Sequence, residues 1–235
     1  MTRTDYLLDG RVQITQSAAG YRAGLDAVML AAACLTQVDD TVLDLGCGAG
    51  AASLCLATRI TDIKITGIEI QPEQAELARA NFAQNNLIAE IICADLKEYK
   101  FPSDNFDHVI LNPPYHDAAQ HIPPENIARA TAFMANDLAT WITTARRAVK
   151  THGSVTIIHR TDALTDIIKN LDGFGAIEII PLWPRENIPA ERIIIRARKG
   201  RKTPLTLLPG IVLHTTDGGE TEFARSILRD GMNIP

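Results

Sequence analysis

The stretch VLDLGCGAG, residues 42–50, decides the fold of this chain of 235 residues. Its apolar first half predicts a buried strand, and residues 51–59 continue with apolar residues at helical spacing. Between the two stand Gly46, Gly48 and Gly50, and glycine allows a backbone to adopt left-handed angles and to approach a ligand closely. A strand, a glycine turn and a helix in this order predict an α/β protein with a ligand at the turn.

Strands and helices alternate along the rest of the chain, which predicts a mostly parallel sheet with helices on both faces. The predicted strands of this sheet are residues 41–45, 63–70, 90–93, 106–111, 154–159, 176–180 and 192–197. The predicted helices are residues 26–36, 51–59, 73–85, 138–150, 162–171 and 222–229. A hairpin over residues 6–14, with a two-residue turn at Asp9-Gly10, is predicted in front of the sheet. Asp26 is predicted either to cap the first helix or, together with Gly24, to lie against a cofactor.

The composition, 46% hydrophobic and 22% charged, is that of a globular protein. We expect one domain over residues 1–235, with an N-terminal hairpin and helix (1–40), a core (41–200) and a C-terminal extension (201–235). The sequence contains no apolar run of the roughly 18–20 residues that a membrane helix needs, no secretory signal and no CxxC pair among its four cysteines. These features predict a cytoplasmic protein with reduced thiols, no metal and no membrane contact.

Acidic side chains stand beside the glycine turn and after the next two strands. Glu69 ends the second strand, where a carboxylate can accept hydrogen bonds from both ribose hydroxyls. Asp95 follows the third strand, where it can accept from an adenine amino group. Asp44 precedes the glycines, where it would repel a pyrophosphate but attract an ammonium group. S-adenosylmethionine therefore fits this set of acids better than a dinucleotide does.

The fourth strand stops at Asn112-Pro113-Pro114-Tyr115. Neither proline has an N–H and both fix φ, so the strand's ladder cannot continue. A polar amide and an aromatic ring are thus left at the carboxyl end of a strand, which is where ligands bind in open α/β sheets.

With these motifs the chain resembles the class I S-adenosylmethionine-dependent methyltransferases, which have a Rossmann-like seven-stranded sheet. Residues 42–50 look like the first motif of that class, and Asn112 to Tyr115 resembles the signature of enzymes that methylate a planar nitrogen. Most of the chain is similar to the family that methylates adenine N6 of valine tRNA beside the anticodon. The resemblance implies S-adenosylmethionine as cofactor and catalytic contacts from Asn112, Pro113, Pro114 and Tyr115. It also implies cofactor contacts from Asp44, Gly46, Gly48, Gly50, Glu69, Asp95 and Asn112.

We therefore expect methyl transfer to N6 of an adenine in RNA, with tRNA as the expected substrate. A glutamine amide in a translation protein, a guanine or adenine in rRNA, and a non-catalytic assembly factor that binds the cofactor remain as alternatives. Residues 192–202 carry six basic side chains and no acid, which predicts either an RNA contact or a solvated strand end. The polar residues 116–129 are predicted to form a loop over the substrate.

Overall fold

The computed structural model describes residues 1–18, 24–114 and 138–235. The helices in these ranges are α1 (Leu25–Ala33), α2 (Ala51–Arg59), α3 (Pro72–Gln84), α4 (Leu138–Ala148), α5 (Leu164–Asn170) and α6 (Glu222–Leu228). The strands are β1 (Thr2–Leu7), β2 (Val12–Ser17), β3 (Thr41–Leu45), β4 (Lys64–Glu69), β5 (Glu90–Cys93), β6 (Phe106–Leu111), β7 (Val149–Arg160), β8 (Phe174–Trp183), β9 (Arg192–Lys199), β10 (Thr206–Leu207) and β11 (Ile211–Val212). The segment 116–129 and Tyr115 lie outside the described residues.

A mixed sheet forms the centre of the protein, with strand order β10-β8-β9-β7-β6-β3-β4-β5 and β11 also paired to β8. Strands β3 to β7 pair in parallel, whereas β9 runs antiparallel to both β7 and β8. The seven strands from β8 to β5 are those that the sequence predicted, so the Rossmann-like α/β fold is confirmed. The chain order reverses between β3 and β6, and ligands of such sheets bind at the carboxyl ends of the strands beside that reversal.

Two apolar clusters hold the helices against the sheet. Side chains of α1, α2, α3 and α6 belong to one cluster, and those of α4 and α5 belong to the other. Since both faces are covered, most residues of β3 and β6 are buried, including the polar Asp44 and His108. Within the described ranges, no helix has both the length and the apolar character needed to cross a bilayer.

The N-terminal hairpin forms as predicted but with a different turn. Leu7 and Val12 are the last residues that pair between β1 and β2, so the connection has four residues rather than the two expected at Asp9-Gly10. Leu8, Asp9 and Gly10 all have positive φ. Leu8 is the cause, because its side chain is buried in the core with 1% exposure, and the backbone turns early to bring it there.

Helix α1 does not begin with an Asp26 cap. Its N-cap is Gly24, and no side chain caps the helix there. Asp26 lies in the first turn, is buried, and places a carboxylate oxygen 2.8 Å from Nε of Arg192 in β9. An ion pair between a helix and the sheet therefore replaces the predicted cap.

The basic residues 192–202 do not form a continuous surface beside the reversal point. Most of them belong to β9, a strand inside the sheet, where Arg192 pairs with Asp26. The buried Arg196 pairs with Glu178 at 2.7 Å and donates to two C-terminal carbonyls, and Lys199 pairs with Asp104 at 3.0 Å. Of the remaining members, Arg198 pairs with Ser154 in the middle of β7, and Arg201 and Lys202 follow β9, all away from the carboxyl ends of the parallel strands. Three of the six basic side chains, Arg192, Arg196 and Lys199, therefore form ion pairs within the fold.

Candidate functional site

Four parallel strands end together at one edge of the sheet. Leu45, the last residue of β3, is in register with Ile68 of β4 and with Leu111 of β6. The residues that follow, Gly46 and Asn112, therefore leave the sheet side by side, and Glu69 lies next to them at the end of β4. The topology thus brings the glycine turn, one predicted acid and the Asn-Pro-Pro motif to one place.

The glycine loop, residues 46–50, connects β3 to α2 through left-handed conformations. Gly46, Gly48 and Gly50 have φ values of 68°, 55° and 87°, which side chains rarely allow. A Cβ at Gly46 would run into the buried ring of Trp141 in α4, lying 2.8 Å from Cζ3. A Cβ at Gly48 would meet no atom within 4 Å in the described structure. Gly48 is therefore the glycine whose free side faces an open space into which a ligand can fit.

Three successive residues of the glycine loop are held from outside it. The N–H of Cys47 donates to the carbonyl of Ile68 at 3.0 Å, which continues the β3–β4 pairing by one residue. The N–H of Gly48 donates to Oε2 of Glu69 at 2.9 Å. The carbonyl of Ala49 accepts from Nδ2 of Asn81 in α3 at 2.9 Å. The sequence did not predict that Glu69 and Asn81 would bind the loop, because a single acid or amide has no periodic pattern that indicates such a contact.

Glu69 has a second role besides the ribose contact predicted for it. Its Oε1 accepts from the N–H of Gln71 at 2.8 Å while Oε2 holds Gly48, and the residue is buried with 6% exposure. Burial raises the pKa of Glu69, and the N–H groups of Gln71 and Gly48 oppose that rise. The N–H of Ile70 also opposes the rise of the pKa, and since a carboxylate has about four lone-pair sites, Glu69 keeps acceptor capacity for a hydroxyl donor.

Asp44 is enclosed beneath the glycine loop. It is 3% exposed, and its Oδ2 accepts a short hydrogen bond from the hydroxyl of Ser53 in α2. Burial raises the pKa of Asp44 to about 7, the Ser53 hydroxyl opposes the rise, and the negative charge of Glu69 adds to it. A cation beside Asp44 would offset both the burial and the repulsion, so the arrangement suits an ammonium or sulfonium group.

Asp95 lies near the same edge of the sheet. The last pair between β4 and β5 is Glu69 with Cys93, the N–H of Ala94 donates to the carbonyl of Glu69 at 3.0 Å, and Asp95 follows as the second residue beyond β5. Its Oδ1 accepts from the N–H of Lys97 at 2.8 Å, and the residue is half-buried. The carboxylate is thus held in a turn and keeps acceptor capacity toward solvent.

Asn112 is partly buried, Pro113 is buried and Pro114 is exposed. They follow β6 directly, as the sequence predicted, while Tyr115 lies outside the described residues. Within the described ranges, no group of three or more His, Cys, Asp or Glu side chains could hold a metal ion.

Residues 24–167, more than half of the chain, match the model of the methyltransferase small domain family. The chain therefore belongs to this family and is an S-adenosylmethionine-dependent methyltransferase. The open face of Gly48, the buried carboxylate of Asp44 and the acceptor capacity left on Glu69 fit that cofactor.

Three similar proteins support the family. The tRNA1(Val) (adenine(37)-N6)-methyltransferase of Porphyromonas gingivalis is 30% identical over 174 residues, which cover 70% of this chain and 68% of that protein. The ribosomal RNA small subunit methyltransferase C of Salmonella paratyphi B is 31% identical over 118 residues, 49% of this chain and 34% of that one. The crystal structure of a predicted O-methyltransferase from Agrobacterium tumefaciens is 27% identical, with a TM-score of 0.75 over 89% of this chain and 98% of that chain.

Replacing Gly46 or Gly48 by alanine separates packing from ligand contact. Both changes strain a left-handed residue, but only Gly46→Ala also pushes against Trp141. We expect Gly46→Ala to lower the free energy of unfolding by about 1–3 kcal/mol more than Gly48→Ala, the usual cost of overpacking. Gly48→Ala should remain folded and lose affinity for S-adenosylmethionine. Denaturant unfolding measures the loss of stability, and calorimetric titration measures the loss of affinity for S-adenosylmethionine. Equal losses of stability in the two variants would show that the Trp141 ring can move aside without a measurable loss of stability.

The affinity for S-adenosylmethionine should depend on pH through Asp44. Because burial raises its pKa to about 7, this carboxyl takes up a proton as the pH falls through that value, and the anion that binds a cation is present above it. We expect affinity to rise roughly tenfold per pH unit well below 7 and then level off. Ser53→Ala should move the rise to higher pH, and Asp44→Asn should flatten it. Calorimetric titration from acid to neutral pH tests this prediction. If the affinity of Asp44→Asn rose with pH as in the wild type, the pH dependence would belong to another group.

Proposed function

We propose that this methyltransferase transfers the methyl group of S-adenosylmethionine to the exocyclic N6 of an adenine in RNA, and that tRNA is its substrate. The observation that carries the proposal is the Asn-Pro-Pro-Tyr sequence at residues 112–115, whose Asn112 directly follows β6, next to the end of β3. The name of the Porphyromonas relative supports an adenine N6 in tRNA, and both RNA-modifying relatives support RNA. An RNA substrate and four cysteines without a disulfide are consistent with the cytoplasm.

In this proposal the two sides of the cleft have different tasks. Asp44 attracts the ammonium end of the cofactor, Glu69 accepts from its ribose and Asp95 from its adenine. The glycines allow the backbone to approach it. The proposed cofactor contacts are Asp44, Gly46, Gly48, Gly50, Glu69, Asp95 and Asn112. The acceptor side is formed by Asn112, Pro113, Pro114 and Tyr115.

The chemical problem is the weak nucleophilicity of an adenine amino group, whose lone pair is delocalised into the ring. That group has two N–H donors, and the side-chain oxygen of Asn112 with the carbonyl of Pro113 supplies two acceptors for them. This pairing holds the nitrogen and favours its pyramidal form. Tyr115 stacks on the base, a contact worth about 1–3 kcal/mol. S-adenosylmethionine supplies an already activated methyl group, so orientation rather than a dedicated base does most of the work.

A hydroxyl and a glutamine amide fit the same motif less completely than an adenine does. A hydroxyl, as implied by the name of the Agrobacterium structure, has only one donor and would leave one of the two acceptors unused. A glutamine amide has two donors but lacks the extended ring that favours stacking on Tyr115. An rRNA base is the second candidate, and the Salmonella relative supports it over about half of this chain.

The nature of the product tests the proposal. Protein and methyl-labelled S-adenosylmethionine are incubated separately with unmodified tRNA, with rRNA and with ribosome-associated proteins, and the digested products are identified. We expect label in N6-methyladenosine from tRNA. Label in rRNA alone would favour the second candidate, and label only in protein, or in no substrate, would reject RNA methylation.

A matched pair of asparagines tests the role of Asn112. Asn105 stands just before β6 and Asn112 just after it, at opposite edges of the sheet. We expect Asn112→Ala to abolish transfer, because it removes an acceptor for the target nitrogen, while the other proposed cofactor contacts keep the affinity for S-adenosylmethionine within several-fold. Asn105→Ala should leave transfer near the wild-type rate. Single-turnover transfer and calorimetric titration provide the readouts, and a loss of cofactor binding in Asn112→Ala would contradict the division of tasks.

A further inference from the structure

Asn81 in α3 joins three separate segments of the chain. It is fully buried, with 0% exposure. Its Oδ1 accepts from the N–H of Thr15 in β2 at 2.8 Å, and its Nδ2 donates to the carbonyl of Thr15 at 2.9 Å. The same Nδ2 also donates to the carbonyl of Ala49 in the glycine loop at 2.9 Å. One amide therefore connects α3, the N-terminal hairpin and the loop.

Asn85 repeats half of this pattern one helical turn later. Its Oδ1 accepts from the N–H of Gln13 at 2.9 Å, and its Nδ2 donates to the carbonyl of Gln13 at 2.7 Å. Residues four apart on a helix are neighbours about 5–6 Å apart, close to the roughly 6.5 Å between alternate residues of a strand. The two amides therefore take the place of a neighbouring strand along β2. Both hold the hairpin, but only Asn81 reaches the glycine loop.

The glycine loop needs outside contacts because its own residues restrict it only in part. Ala49 stands between Gly48 and Gly50, and glycine has more backbone freedom than any other residue. The N–H of Gly50 donates to the carbonyl of Cys47 at 2.8 Å, which fixes one end of the Ala49–Gly50 peptide. The bond from Asn81 fixes the carbonyl at the other end. Without it this peptide could rotate, and the open face at Gly48 would lose its shape.

We infer that Asn81 is a positioning residue for the cofactor site, which fixes the glycine loop by holding the carbonyl of Ala49 and couples it to the N-terminal hairpin. The inference rests on the assignment of the glycine loop to S-adenosylmethionine in the proposed function. It does not depend on which acceptor is methylated. Since Asn81 contacts the loop rather than the reacting atoms, its loss should weaken cofactor binding more than it slows transfer at saturating cofactor.

Asn81→Ala and Asn85→Ala form the test pair, because both loosen β2 and only the first releases Ala49. We expect Asn81→Ala to raise the dissociation constant of S-adenosylmethionine by about tenfold or more, the effect of losing one buried hydrogen bond. Asn85→Ala should stay within about twofold of the wild type. The KM for cofactor should rise in Asn81→Ala, while kcat and the KM for RNA change less. Equal effects of the two variants on cofactor affinity, or wild-type affinity in Asn81→Ala, would overturn the inference.

Hydrogen exchange gives a readout that does not require activity. In Asn81→Ala, backbone amides of residues 46–50 should exchange faster than in Asn85→Ala, and equal protection would contradict the role. Should Asn81→Ala fail to fold, Asn81→Ser leaves a smaller gap and is measured in the same way. Wild-type protein that binds S-adenosylmethionine but modifies no RNA would reject the proposed function and leave this inference standing. If the wild type methylates RNA and the variants bind S-adenosylmethionine with unaltered affinity, the proposed function stands and this inference is rejected.

Discussion

The cofactor site depends on how a loop of glycines is fixed. Gly46, Gly48 and Gly50 supply the left-handed angles that turn the chain from β3 into α2, yet they leave the backbone free to move. The order must come from the surroundings, and three successive loop residues are each bound by a different partner. Those partners are the carbonyl of Ile68, the carboxylate of Glu69 and the amide of Asn81. The site is therefore a property of β4 and α3 as much as of the glycine stretch itself.

The same contacts set the electrostatics of the cleft. Glu69 must stay buried to hold Gly48, and its charge adds to the burial that raises the pKa of Asp44. Two carboxylates in a poorly solvated space repel each other, and a bound cation offsets that repulsion. The repulsion between Glu69 and Asp44 is thus reduced when a positively charged ligand binds. The neighbouring strand β6 is followed by Asn112, which is a neutral amide and adds no further charge to the cleft.

The fold was largely predictable because it follows from local patterns. Apolar runs that end in glycine or proline marked β3 and β6, and the alternation of strands and helices predicted the parallel sheet. Errors arose where a distant contact decided the local structure. The hairpin has a four-residue turn in which Leu8 is buried, and Asp26 pairs with Arg192 instead of capping α1. Asn81 could not be predicted, because a single amide in a helix has no periodicity, and its partners are 66 and 32 residues away.

The basic residues of β9 show why a count of charges along a sequence does not by itself locate a surface patch. An arginine inside a sheet must find partners, since an unpaired buried charge is very unfavourable. Arg196 accordingly pairs with Glu178, and Arg192 ties α1 to the sheet. These residues stabilise the fold, and the chain as a whole has a net charge of −5. The segment 192–202 therefore offers an RNA at most Arg198, Arg201 and Lys202, the three cations that these ion pairs do not use, and they lie away from the carboxyl ends of the parallel strands.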